Sequence, residues 1–144
     1  MRARETVAVV AALALSVAGC ARPAGPPAIA LGTPCAACGM DVLDLRFACE
    51  RDAGNRWRVY DSIECLLRDT GAGPAGRAYL ADYDRQALHA AESLWVVRGE
   101  FASPMGGGFA AFLDLAAADS IAAATRGRVD RLAAFMATPA EPGR

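Results

Sequence analysis

The sequence predicts an α+β domain with antiparallel sheet and helices packed on one side. Three observations carry this. Short stretches of alternating polarity occur in pairs separated by turn residues, each pair runs into a helical stretch, and the resulting strand–strand–helix order occurs twice, with a Trp in a strand each time.

In the first unit, Leu45-Arg46-Phe47-Ala48-Cys49-Glu50 alternates as a strand with Leu45, Phe47 and Cys49 on one face. Ala53-Gly54-Asn55 is a turn, and Arg56-Trp57-Arg58-Val59-Tyr60 completes a hairpin. Asp61 or Ser62 caps a short helix from Ile63 to Asp69, which Gly71-Ala72-Gly73-Pro74 stops; a third strand spans Ala78 to Tyr83. In the second unit, Ser93-Leu94-Trp95-Val96-Val97 is a strand, Ser103-Pro104-Met105-Gly106-Gly107-Gly108 a tight loop, and Phe109 to Leu113 another strand. An alanine-rich helix then opens at Asp114 or Asp119 and runs to about Arg126. A last short helix covers Val129 to Ala137, and residues 138–144 form a frayed tail.

The elements begin only after an export signal. Arg2 and Arg4 precede an unbroken apolar run from Val7 to Leu15, and even extended to Ala18 that run is roughly a dozen residues, short of the ~20 that a membrane span needs. Val17-Ala18-Gly19-Cys20 resembles the bacterial lipobox, so residues 1–19 read as a lipoprotein signal peptide and Cys20 as the acylated residue. Residues 20–34 are small and Pro/Gly-rich, as a tether leaving a bilayer should be. Ala21 after the cysteine favours the outer membrane over the inner, with the domain, residues 35–137, facing the periplasm. The mature chain carries thirteen arginines against fifteen carboxylates, a charge of −2, with no basic stripe for nucleic acid.

With Cys20 acylated, four cysteines remain: Cys35, Cys38, Cys49 and Cys65. Cys35-x-x-Cys38 puts two sulfurs within reach of one centre, and Gly39 lets the backbone turn so that Met40 folds back toward them. A thioether beside two thiols suits Cu(I), whereas zinc is served by thiolate and imidazole. Met105 lies in a loop whose proline and glycines leave no place for a strand or helix core, which makes it a second sulfur candidate; the alternative is a plug beneath the loop. Three other uses of the cysteines stay open: a redox dithiol, disulfides, and a zinc site of all four thiols. No strand precedes Cys35 and no second Cys-x-x-Cys exists, which weighs against the first and the last. His89, the single histidine, reads as a surface or capping residue, and Asp61 and Glu64 as cap and helix-face charges.

The lipobox at Cys20, Cys35-x-x-Cys38-Gly39-Met40, Tyr60-Asp61-Ser62-Ile63-Glu64-Cys65, Asp82-Tyr83, Trp95-Val96 and Ser103-Pro104-Met105-Gly106 occur in an order and spacing that resembles the NosL family, accessory copper-binding lipoproteins of nitrous oxide reductase maturation. The match departs at Ser103, where a threonine is expected. The resemblance implies two similar ββαβ units. It implies a monomeric, non-enzymatic carrier of one Cu(I), with Cys38, Met40 and Met105 as the strongest ligand candidates and Cys35 next. The implied partners are an ABC-type copper-site assembly machinery in the membrane and a client copper enzyme, nitrous oxide reductase.

Overall fold

The structure is a computed structural model that describes residues 25–69 and 76–136. The expected signal peptide, Cys20, the expected helix stop at 71–74 and the expected tail at 138–144 lie outside the described residues. Among the described residues no helix is long and apolar enough to cross a membrane.

Strands β1 (Cys49–Asp52), β2 (Trp57–Tyr60), β3 (Ala78–Ala81) and β4 (Leu88–Ala90) form an antiparallel sheet in the order β2-β1-β3-β4. Helix α1 (Ile63–Arg68) connects β2 to β3. Strands β5 (Trp95–Arg98), β6 (Phe109–Phe112) and β7 (Arg128–Asp130) form a second antiparallel sheet in the order β6-β5-β7, with α2 (Leu115–Ala124) between β6 and β7. The first strand of each unit is therefore central, flanked by its hairpin partner and by the strand after the helix. This is the same ββαβ arrangement twice, as expected. A 3₁₀ turn at Ala91–Ser93 leads into β5, and α3 (Leu132–Met136) closes the described chain.

Four boundaries differ from expectation, each for a local reason. Leu45–Phe47 form turns rather than strand: the Asp44 carboxylate takes the Arg46 backbone N–H at 3.0 Å and its guanidinium at 2.6 Å, holding the chain bent before β1. Arg128–Asp130 form β7 instead of opening the last helix, because their alternating residues add to the free edge of β5. β4 goes unmarked in the sequence, since three residues are too few for alternation to register. The segment before Cys35 is paired rather than free: Gly32 N–H donates to Val42 O, Val42 N–H to Thr33 O, and Pro34 bridges Asp41.

The second sheet is covered on both faces. Val96, Phe109 and Ala111 face a core shared with Cys49, Tyr60, Ile63, Leu66 and Leu80 of the first unit; Val97, Ala110 and Phe112 face Ala118 and Ala122 of α2. This is why Phe-Ala-Ala-Phe in β6 is buried throughout without alternating. Asp114 caps α2 by accepting the Ala116 N–H at 2.8 Å, and the alanines let the helix lie close on the sheet. The fully buried Asp82 ties the units together, accepting the Leu113 N–H at 3.2 Å while Arg85 pairs with its other oxygen at 2.9 Å.

Candidate metal centre

Where the first unit meets the second, four ligand atoms converge. The sulfurs of Cys35, Cys38 and Cys65 and a carboxylate oxygen of Asp61 all lie within 4.8 Å of one another. Three local features assemble them. Residues 32–42 form a hairpin whose tip is closed by Cys35 N–H to Met40 O at 2.8 Å and Gly39 N–H to Cys35 O at 2.9 Å. Gly39 sits at φ +77°, in the left-handed region that lets the tip close. Ala36 N–H then docks the tip on β2 through Val59 O at 2.8 Å.

Asp61 follows directly on β2, and Cys65 lies in the first turn of α1. That turn is fixed by Ser62, the N-cap, whose hydroxyl accepts the Cys65 N–H at 3.3 Å. Asp61, expected as a cap or helix-face charge, is instead buried beside the thiols: Cys38 donates its S–H to Asp61 Oδ2 at 3.8 Å, while Oδ1 is buried without a hydrogen-bond partner. Arg58 and Tyr60 support the arrangement from below, both donating to Asp69 Oδ2, at 2.6 and 2.7 Å.

Two of the cluster thiols, Cys65 and Cys38, are raised above the ordinary thiol range. Burial pushes the Cys65 thiol far up, and the Asp61 carboxylate adds to the effect. Partial burial raises Cys38 as well, opposed by the Met40 backbone N–H. Cys35 and Cys65 are buried and Cys38 is exposed, so the cluster opens to solvent on one side. The four cysteines of the described residues are free thiols. Cys49 stands apart from the cluster, donating to Phe47 O at 3.3 Å, and its burial drives its thiol well up. A site of all four cysteines is therefore not assembled.

The two methionines flank the cluster differently. Met40 is 48 % exposed and, with Gly39, Asp61, Ser103 and Pro104, lines a cavity of about 720 Å³. Met105 is half-buried and packs against the core cluster that contains Cys35 and Cys65, rather than standing free on its loop. That loop is fastened by Glu64, another residue expected to be a surface charge. Its Oε1 accepts the Ser103 hydroxyl at 2.6 Å and the Gly107 N–H at 3.0 Å, and Ser103 Oγ in turn accepts the Gly108 N–H at 3.0 Å. His89 lies in β4 opposite Leu80 and is not among the clustered ligands. Cys65 and Asp61 are the members that spacing did not single out. The available signal was Tyr60-Asp61-Ser62-Ile63-Glu64-Cys65, where a strand end, an N-cap and a first helical turn put residues 61 and 65 beside one another.

Fold and site together define an α+β protein of two ββαβ units with a thiol-rich cluster, built by the first unit and able to hold a metal ion, next to their junction. The fold is similar to that of the copper chaperone NosL from Shewanella denitrificans, with a TM-score of 0.63 and 19 % identity over 76 % of this chain and 94 % of that chain. No family model matches the sequence, and no curated protein matches it.

Proposed function

We propose that this chain is a carrier of a single Cu(I) ion, tethered to a membrane through acylated Cys20 and acting as a chaperone rather than an enzyme. The observation that carries the reading is the convergence of the Cys35, Cys38 and Cys65 sulfurs within 4.8 Å. Soft thiolates are the preferred donors for Cu(I). Met40, which lines the cavity beside Asp61, and Met105, which packs against the core cluster that includes Cys35 and Cys65, are proposed as further sulfur donors. The likeness of fold to a protein described as a copper chaperone supports the same conclusion.

A carrier must also release its ion, and the exposed Cys38 provides the point at which an incoming thiolate can exchange. The chain acts as a monomer, at the periplasmic face of the outer membrane, and hands copper to an ABC-type assembly machinery serving nitrous oxide reductase or a related copper enzyme. Anaerobic titration with Cu(I) against a competing chelator tests the core of this. One tight site is expected, weakened at least about tenfold in Cys38→Ser and in Cys65→Ser, and weakened further when Met40→Ala or Met105→Ala is added. Absence of a stoichiometric site in the reduced chain sinks the carrier reading; unchanged affinity in both methionine variants removes the methionines from it.

A further inference from the structure

We propose that the second unit carries a binding site for a phosphate group, formed by Arg98, Arg126 and Arg128 where β5 ends and β7 begins. The site goes beyond the metal-carrier reading and does not depend on it: every residue that lines it belongs to the second unit, whereas the first unit supplies the thiol cluster.

The register of the sheet sets up the charge. Arg98 and Arg128 are direct partners across β5 and β7, so two like charges face each other with Cβ atoms about 5 Å apart, which destabilises the pair unless something neutralises it. The first sheet contains the same pairing and resolves it internally. Arg51 lies opposite Arg58; Arg58 is paired with Asp69 at 2.6 Å, and Arg51 donates to Leu66 O at 3.4 Å. Among the described residues no carboxylate pairs with Arg98 or Arg128, and Glu100 is taken by Arg126. A cavity of about 430 Å³, lined by these three arginines, Glu100 and three glycines, therefore carries a net charge of +2 on a chain whose own net charge is −1.

The guanidinium groups are also placed to donate. Arg98 sits over the Phe109 ring at 5.5 Å and Arg128 over the Phe135 ring at 4.3 Å, and the two rings meet edge to face at 5.3 Å. Such stacking positions a guanidinium by its face and leaves its N–H edges for another partner. A carboxylate fills its two oxygens with one such fork. A phosphate group offers three oxygens and a charge of up to about −2, and so serves two forks at once. The cavity volume falls within the roughly 300–1,000 Å³ of small-molecule sites, which leaves room for what the phosphate is attached to. Both a soluble phosphate ester and the headgroup of an anionic phospholipid present this chemistry.

The test uses the full chain, isotope-labelled, with inorganic phosphate titrated at constant ionic strength against a chloride reference. Saturable shifts of the Arg98 and Arg128 Nε–H resonances are expected, with apparent Kd at least about tenfold weaker in Arg98→Gln and in Arg128→Gln. Arg56→Gln, which removes an exposed arginine from the turn between β1 and β2, should leave Kd unchanged. Arg98→Lys and Arg128→Lys keep the charge but lose the fork; their affinities should lie between the parent and the glutamine variants, and they carry the test if a glutamine variant fails to fold. Glycerol phosphate and a short-chain, water-soluble phosphatidylglycerol, titrated in the same way, separate the two sources: the tighter ligand identifies whether the site serves an ester or a headgroup, and either result supports it. No saturation with any of the three phosphates overturns the proposal. So does parental affinity in the glutamine and lysine variants, or an equal loss in Arg56→Gln.

Discussion

Replacing Glu64 by alanine should loosen the 103–108 loop and lower the stability of the domain by about 2 kcal/mol. The figure follows from its contacts. Glu64 Oε1 accepts two hydrogen bonds, from the Ser103 hydroxyl and the Gly107 N–H, and a bond to a charged acceptor contributes about 1.5–3 kcal/mol. Against that gain stands the desolvation of a carboxylate that is 5 % exposed and whose Oε2 is buried without a partner. Removal also strands the Gly107 N–H, while Ser103 keeps its bond from the Gly108 N–H. The losses exceed the relief by about one hydrogen bond to a charged group, hence about 2 kcal/mol. In a domain of this size that corresponds to a fall in Tm of roughly 10 °C.

Glu64→Gln keeps an acceptor oxygen for both donors and removes the desolvated charge, so its Tm should stay within a few degrees of the parent. Thermal unfolding followed by far-ultraviolet circular dichroism measures both, and limited chymotryptic cleavage near Phe101 and Met105 reports the loop directly. Equal melting of Glu64→Ala and the parent, or equal losses in the alanine and glutamine variants, would refute the reasoning. The first would mean that the clasp contributes nothing net, the second that charge rather than acceptor geometry holds the loop.

Three further outcomes are expected. Gly108 has φ +68°, and a Cβ there would stand 1.9 Å from Gly99 O, a backbone atom that cannot move aside. Gly108→Ala should therefore cost more than about 2 kcal/mol in urea unfolding, and an unchanged midpoint would contradict the packing. Phe112 is 1 % exposed and stacks on Tyr83 at 5.4 Å between centroids, so Phe112→Ala should cost about 3–5 kcal/mol by the same measurement. Burial raises the Glu50 carboxyl to about 7, and its Oε2 lacks a partner. Its folded pKa thus lies above the unfolded value near 4.5. The neutral form stabilises the fold, fully at pH below that unfolded value, and the contribution is lost as pH rises toward 7. Tm should fall across that window in the parent and less so in Glu50→Gln; parallel profiles would show that Glu50 does not titrate there.

What the sequence determined by itself was the order of elements and much of the donor chemistry. Hairpin turns, caps and alternation are local, set within a few residues by backbone sterics and short-range hydrogen bonds. They therefore placed β2, α1 and the strand–strand–helix repeat correctly, and the Cys35-x-x-Cys38-Gly39 tip with its positive-φ glycine could be read before any fold was known. Tertiary structure decided what lies opposite what. Only the docking of the hairpin tip on β2 brings Cys65 and Asp61 to Cys35 and Cys38, and only the packing of the two units turns Glu64 from a helix-face charge into the clasp of the Met105 loop. A carboxylate at the start of a helix carries no mark of whether it will face water, thiols or a neighbouring loop. That depends on contacts spanning some forty positions, such as Glu64 to Gly107, which no local pattern encodes.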